Sequence, residues 1–262
     1  MQASVKHITP SIQTIWMDYQ ASIDVQGISA PFLQHELILN LGDTFIVNDD
    51  QGQNGVILSL MSTKALHTQV KGLYKALGII FSPLGIYQTY GISPKELVHP
   101  NAIDQYFFDH TTEFLQIVEA SYNSCLPLDE IIHFFKRNAS CNPLPPIISN
   151  FLKAVQKHLY QPIEIQKITQ ELSFGVKHLI ATFKDVVGLT PHKYLQLIQL
   201  NQAIHMMKLF PDRKLTQIAL ENGFYDQSHF IRVFKKNTGF SPRIFRKQQI
   251  SQSHNYPNTI IL

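Results

Sequence analysis

Residues 218–242 read IALENGFYDQSHFIRVFKKNTGFSP, and they contain the clearest structural signals of the C-terminal half. Gly223 predicts a tight turn after a short helix at 214–221, because glycine adopts the left-handed conformation at little cost. Asp226 is a suitable N-cap for a second helix, which we place at 227–237. A short helix, a turn and a second helix in this order predict a helix-turn-helix unit.

The predicted second helix has an apolar side and a polar, basic side. Phe230, Val233 and Phe234 recur at helical spacing and are expected to face the core, whereas Ile231 is expected outside. Arg, Gln and Lys side chains on the outer side are the types that bond to base edges and phosphates in a major groove. The candidate DNA contacts of this unit are Gln227, Ser228, His229, Arg232, Lys235, Lys236 and Ser241.

Two of these candidates have particular roles. Ser241 precedes Pro242 and predicts the start of a further helix, whose N-terminus can anchor a phosphate. His229, like His178 in the first unit below, has packing or turn stabilisation as an alternative to DNA contact.

An internal repeat extends this interpretation to a second unit. When residues 168–194 are aligned with 218–245, allowing one inserted residue, eight positions are identical. The pairs are Ile168/Ile218, Glu171/Glu221, Phe174/Phe224, His178/His229, Phe183/Phe234, Lys184/Lys235, Gly188/Gly239 and Pro191/Pro242. So many identities in order indicate a duplicated structural unit.

The first unit is the poorer reader of sequence. Its presumed recognition helix, 176–187, offers Lys177, His178 and Lys184 as candidate DNA contacts, beside the small Ala181. We expect phosphate and thymine-methyl contacts here rather than paired hydrogen bonds to bases. Residues 192–209 form an uninterrupted helical stretch of roughly 27 Å between the units. Successive major grooves on one face of B-DNA repeat every ~34 Å, so such a connector suits two neighbouring grooves.

The charge distribution separates the two halves of the chain. Residues 1–149 hold seven Lys+Arg against thirteen Asp+Glu, a net −6, and residues 150–262 hold fifteen against six, a net +9. A basic half joined to an acidic half indicates that one part meets a polyanion. The chain shows no secretory signal and no apolar run near the ~20 residues that span a bilayer, so we expect a cytoplasmic protein without a membrane partner.

The N-terminal half reads as β-structure followed by helices. Apolar runs at 35–41, 44–47, 56–60 and 76–81, with a turn-rich segment at 48–55, favour an antiparallel sandwich or barrel. Helical spacing marks 107–122, 128–137 and 147–159, and the proline-rich 138–146 is typical of a linker or a firm helix stop. The expected fold is multidomain α+β, with domains at 1–92 (β-structure), 93–138 (helical), 139–146 (linker), 147–249 (two helix-turn-helix units) and 250–262 (tail).

Residues 218–242 closely resemble the signature of the AraC/XylS family of transcription regulators, through Ile218-Ala219, residues 223–236 and Gly239-Phe240-Ser241-Pro242. The resemblance covers about 100 residues and implies seven helices, promoter DNA as partner and activation through RNA polymerase. Two positions depart from the family pattern, since Ala181 and Gln199 stand where arginines are usual. In the second unit, Arg232 is the arginine that the family pattern implies for base recognition.

The N-terminal half resembles the cupin-like sensory domain of some of these regulators, through residues 31–42 and 77–85. That resemblance implies a small-molecule effector, a homodimer, or both, with 1–92 as the sensory domain and 93–138 as the dimerising segment. A regulator whose N-terminal half only dimerises remains an alternative.

An enzymatic front half is a further alternative. A metal-dependent cupin would use a His-x-His pair, a Glu and a later His, but His35 precedes Glu36 and His67 stands alone. A DNA-repair protein would need a reactive cysteine, and neither Cys125 nor Cys141 lies in a suitable motif. We therefore expect no catalytic residues, no metal and no cofactor.

Overall fold

The structure, a computed structural model, describes residues 2–48, 55–98, 111–123, 128–138, 141–157, 170, 175–251 and 259–261. Its strands are β1 (Gln2–Lys6), β2 (Ile12–Ser29), β3 (His35–Asn40), β4 (Thr44–Val47), β5 (Val56–Ser59), β6 (Leu66–Phe81) and β7 (Thr259–Ile261). Its helices are α1 (Gly85–Tyr90), α2 (Thr111–Ser121), α3 (Asp129–Asn138), α4 (Pro146–Lys157), α5 (Val176–Val187), α6 (Pro191–Leu209), α7 (Leu215–Glu221), α8 (Gln227–Thr238) and α9 (Pro242–Ser251), with a 3-10 turn at Glu96–Val98. The expected division into an N-terminal β region and a C-terminal helical region is confirmed.

The strands form one antiparallel sheet in the order β1-β2-β6-β3-β5, with β4 paired to β6 and β7 to β2. The central pair, β2 and β6, runs from Ile12↔Phe81 to Ser29↔Leu66, with a register shift between Gln20 and Ile23. Such an irregularity bends a sheet and increases its twist. One half of β6 pairs with β4 and the other half with β3, so β6 connects the two ends of the sheet.

The sheet is longer than the apolar runs predicted. Residues 35–41, 44–47 and 56–60 are strands within one residue of the expected bounds, but 76–81 is only the end of β6. β1 and most of β2 were not predicted, because their side chains are largely polar or half-exposed and form no apolar run. Residues 49–54 of the predicted turn lie outside the described residues.

Alternation along the strands gives the sheet two faces. The helix-covered face holds Ile15, Met17, Leu77 and Ile79, which pack with the aromatic side chains of α2 and α3. The opposite face, here called the Trp16 face, holds Trp16 with Ile38, Tyr74 and Ala76. The apolar sides of α2 and α3 are thus buried against their own sheet.

The C-terminal helices share one core with a few residues of the β region. Phe151, Phe183 and Phe230 are fully buried in it, and Ala30 and Met61 of the β region belong to the same cluster. The expected helices at 176–187, 192–209, 214–221 and 227–237 are confirmed to within one residue at each end. The first helix of the first unit lies outside the described residues, apart from residue 170.

Polar contacts also join the two regions. The Asn201 side-chain amide on α6 donates to the carbonyl oxygen of Pro31 at 3.1 Å. Lys95 and Asp185 form an exposed ion pair at 2.6 Å. The predicted linker is packed as well, since the Asn142 backbone N–H donates to the Gln88 carbonyl at 2.8 Å. No helix among the described residues is both long and apolar enough to cross a membrane.

Candidate nucleic-acid interface

The helix α8 is fixed at both ends by local chemistry. The Asp226 carboxylate accepts a hydrogen bond from the His229 backbone N–H at 2.6 Å, the N-cap expected from the sequence. Gly223, before the helix, has φ of +75°, and Gly239, after it, has φ of +79°. Both glycines therefore hold left-handed conformations that other residues adopt only with strain. Phe230 and Phe234 are fully buried beneath the helix.

The outer side of α8 presents cationic and polar groups to solvent. Ser228, Arg232, Lys235 and Lys236 are exposed, and Gln227 is half-buried. Within the described part of the chain, the Arg232 guanidinium makes no hydrogen bond or ion pair. Its donors are therefore available to a ligand, and a guanidinium can bond two acceptors on one base edge.

Gln227 is oriented by the preceding helix. The Thr216 hydroxyl of α7 donates to Gln227 Oε1 at 2.5 Å. This bond occupies the amide oxygen of Gln227 and leaves its NH₂ group as the donor for a partner. The structure thus gives Gln227 a fixed position at the start of α8.

Two side chains of α8, those of His229 and Ile231, are half-buried rather than exposed. The His229 ring meets the Phe224 ring edge-on at 5.7 Å, and its buried Nδ1 has no partner among the described residues. His229 therefore packs against Phe224, which corresponds to the packing alternative given for it from the sequence. Ile231, expected outside, is half-buried and packs against the C-terminal core, because it lies at the margin of the apolar stripe.

Ser241 caps the helix that follows. Its hydroxyl oxygen accepts from the Ile244 backbone N–H at 3.3 Å, so the side chain serves the start of α9. The hydroxyl hydrogen remains a donor that a phosphate oxygen can accept.

The repeat seen in the sequence is repeated in space. The Phe183 and Tyr194 rings lie 5.2 Å apart, and the aligned pair Phe234 and Phe245 lies 5.3 Å apart. The Gly188 N–H closes α5 on the Lys184 carbonyl, and the Gly239 N–H closes α8 on the Lys235 carbonyl. The same rings and the same left-handed cap therefore build both copies.

The first unit differs from the second at its recognition helix, α5. Lys177, His178 and Ala181 are exposed and Lys184 is half-buried. The N-cap residue is Gly175, which supplies no side-chain hydrogen bond. This face carries two lysines and no arginine, as expected from the sequence.

The connecting helix α6 braces the second unit. The Gln199 amide donates to the Gly223 carbonyl oxygen at 3.4 Å, so the side chain found in place of an arginine supports the turn before α8. Sequence reasoning gave Gln199 no such role, since the contact joins positions 24 residues apart. It also missed Tyr225, which is 87% exposed immediately before the N-cap. The sequence signal that could have indicated this exposed side chain is an aromatic residue in a polar loop, next to the N-cap residue.

The residues considered for metal chemistry do not converge. His35 is buried and His67 is exposed, and Cys141 is an exposed free thiol. Within the ranges that the structure describes, no group of three His, Cys, Asp or Glu side chains is placed to hold a metal ion. Cys125 lies outside those ranges.

Comparison with known proteins places this geometry in a class, the helix-turn-helix proteins. A family model described as a helix-turn-helix domain matches residues 168–248. The transcriptional activator RhaS of Klebsiella pneumoniae is 30% identical over 100 residues, which are 38% of this chain and 36% of that protein. RhaS of Escherichia fergusonii is 28% identical over the same shares. The match thus spans little more than a third of these relatives.

Solved structures are similar at a lower level. An AraC-type DNA-binding domain protein from Chromobacterium violaceum is 22% identical, covering 41% of this chain and 96% of its own, with a TM-score of 0.37. ToxT from Vibrio cholerae is 14% identical, covering 90% of this chain and 98% of its own, with a TM-score of 0.46.

Residues 168–248 are therefore a helix-turn-helix domain of the AraC type.

Proposed function

We propose that the chain is a sequence-specific, DNA-binding regulator of transcription, in which α8 reads a major groove of promoter DNA. The proposal is supported chiefly by Arg232, which is exposed on a helix capped at both ends and has no hydrogen bond or ion pair within the described residues. A guanidinium presented from a rigid helix suits paired hydrogen bonds to guanine.

The two units have different roles in this proposal. Gln227, Ser228 and Arg232 read bases, while Lys235, Lys236 and Ser241 contact phosphates. Lys177 and Lys184 on α5 position the protein on the backbone of the next groove, with His178 at the margin. The 19 residues of α6 span roughly 28 Å, which suits grooves ~34 Å apart.

The partners of the whole protein are part of the same proposal. The relatives are transcriptional activators, which supports activation through RNA polymerase in the cytoplasm. The sheet and its helices are proposed to form a cupin-like sensory domain, with 93–138 dimerising and a small-molecule effector bound on the sheet.

The test starts from a pool of random-sequence DNA duplexes selected with the full chain. We expect a common sequence to be enriched, and to bind at least ~10³-fold more tightly than a scrambled duplex at physiological salt. Affinity should fall steeply with salt concentration, because phosphate contacts release counterions. Equal affinity for selected and scrambled duplexes would contradict the proposal.

A further inference from the structure

The Trp16 face carries an aromatic side chain bonded to a carboxyl group. Trp16 on β2 pairs with Gly78 on β6. A Cβ atom at Gly78 would lie 2.0 Å from the indole ring, so the ring lies directly across β6. Beyond β6, the indole Nε1 donates to Glu36 Oε1 on β3 at 2.8 Å. The glycine thus permits an aromatic surface to reach an acid two strands away.

A buried hydroxyl, that of Ser59, lies beside this acid. Glu36 pairs directly with Ser59 of β5, so the two side chains share one face of the sheet. Ser59 is only 6% exposed, and its Oγ has no hydrogen-bond partner among the described residues. Buried hydroxyl groups normally form hydrogen bonds. A bound ligand can therefore supply the hydrogen-bond partner that Ser59 Oγ does not find among the described residues.

The charge of the surroundings indicates the sign of such a ligand. Alternation along β2 places a second acid, the buried Asp18, on the side of the strand that carries Trp16. In the described strands, the same alternation places one cationic side chain on this face, that of Lys6 on β1, which pairs with Thr14. Lys6 is exposed and lies three strands away from Glu36. Burial raises the pKa of Glu36 to about 7, against the hydrogen bond from Trp16, which lowers it. Glu36 has no ion-pair partner among the described residues, so a cation beside it would meet a carboxyl whose charge is not already paired there.

We propose that Glu36 and Ser59 bind the ammonium group of a small cationic amine, whose apolar body lies against the Trp16 indole. Indole surfaces also attract cations electrostatically. This inference rests on the proposed function, since it gives the chemical class of the effector.

The position of the site connects it to the C-terminal helices. Next to Glu36, the His35 Nδ1 accepts from the Met61 backbone N–H at 3.0 Å, and Met61 follows Ser59 by two residues. Met61 packs in the core of the C-terminal helices, together with Ala30. A ligand held between β3 and β5 therefore acts on the strand ends that contact those helices.

The test uses the full chain and two matched sets of probes: phenethylamine, 2-phenylethanol and phenylacetate, and butylamine, butanol and butyrate. Trp16 is the only tryptophan of the chain, so its fluorescence reports on this site alone. We expect at least one amine to change the Trp16 emission saturably, with a Kd at least tenfold lower than those of its alcohol and its acid. Glu36→Gln should remove this preference, because the amide still accepts from Trp16 but carries no charge. Ser59→Ala should weaken amine binding, and Glu96→Gln, an exposed acid in the 3-10 turn, should leave it unchanged.

Two results would overturn the inference: no saturable response to either amine, or an amine preference that persists in Glu36→Gln. If the selected duplex still binds in either case, the proposed DNA-binding function stands and only the effector class is wrong. If an amine binds specifically but no duplex is selected, the amine site stands and the proposed DNA-binding function is wrong.

Discussion

The carboxylate of Asp226 accepts a hydrogen bond from the backbone N–H of His229 at 2.6 Å, and this bond holds the first turn of α8. Gln227, Ser228 and Arg232 lie within the two turns that follow the cap. The Asp226 carboxylate thus helps to position the three side chains proposed to read bases, although it is not itself proposed to contact a base.

Asp226→Ala should lower the free energy of unfolding by ~1 kcal/mol, because it leaves an N-terminal backbone donor without its cap. Urea unfolding measures this change. Asp212→Ala removes the same charge from an exposed loop position and should have a smaller effect. Equal losses in both variants would show that charge, not capping, is responsible.

Gly239→Ala should destabilise the chain by roughly 1 kcal/mol, since alanine is strained at φ of +79°. An added Cβ there would meet no atom within 4 Å, so no steric clash contributes. Gly239→Asn is the matched comparison, because asparagine tolerates the left-handed conformation, and it should cost less. Similar unfolding free energies for the two variants would contradict this explanation.

The neighbours His35 and Glu36 should have opposite effects on stability against pH. Burial lowers the pKa of His35 from 6.5 to about 4, so the folded state binds fewer protons and stability rises with pH across that window. Burial raises the pKa of Glu36 from 4.5 to about 7, so the folded state binds more protons and stability falls as pH rises across its window.

The two contributions oppose each other between pH 4.5 and 6.5. Glu36→Gln should therefore make stability rise more steeply with pH in this range than in the wild type. Urea unfolding at a series of pH values provides the comparison, with Glu96→Gln as the control. Parallel profiles for the wild type and Glu36→Gln would mean that Glu36 titrates near its ordinary pKa.

Local signals explain why the C-terminal units were predictable from the sequence. The cap at Asp226, the turn at Gly223 and the spacing of Phe230 and Phe234 all act within about ten residues. The cap marks where α8 begins, the turn marks where the preceding helix ends, and the phenylalanine spacing marks the buried side of α8.

The sheet and its polar cluster depend on contacts distant in sequence. Trp16 meets Glu36 only because β6 lies between their strands, with a glycine at position 78. The pairing of Glu36 with Ser59 likewise requires the register of β3 and β5, which no local pattern specifies. The packing of Met61 with the C-terminal helices is a tertiary contact of the same kind.

In the proposed DNA complex, α8 reads the base sequence while α5 mainly contacts the phosphate backbone. The most direct measurement compares the affinities of Arg232→Ala and Lys177→Ala for the selected and scrambled duplexes over a range of salt concentrations, with Lys153→Ala on α4 as the control. Arg232→Ala should cost ~1–3 kcal/mol on the selected duplex and relax specificity there, whereas Lys177→Ala should weaken both duplexes alike and reduce the salt slope by about 1. If Arg232→Ala instead left the preference for the selected duplex intact, α8 would not be the reading helix.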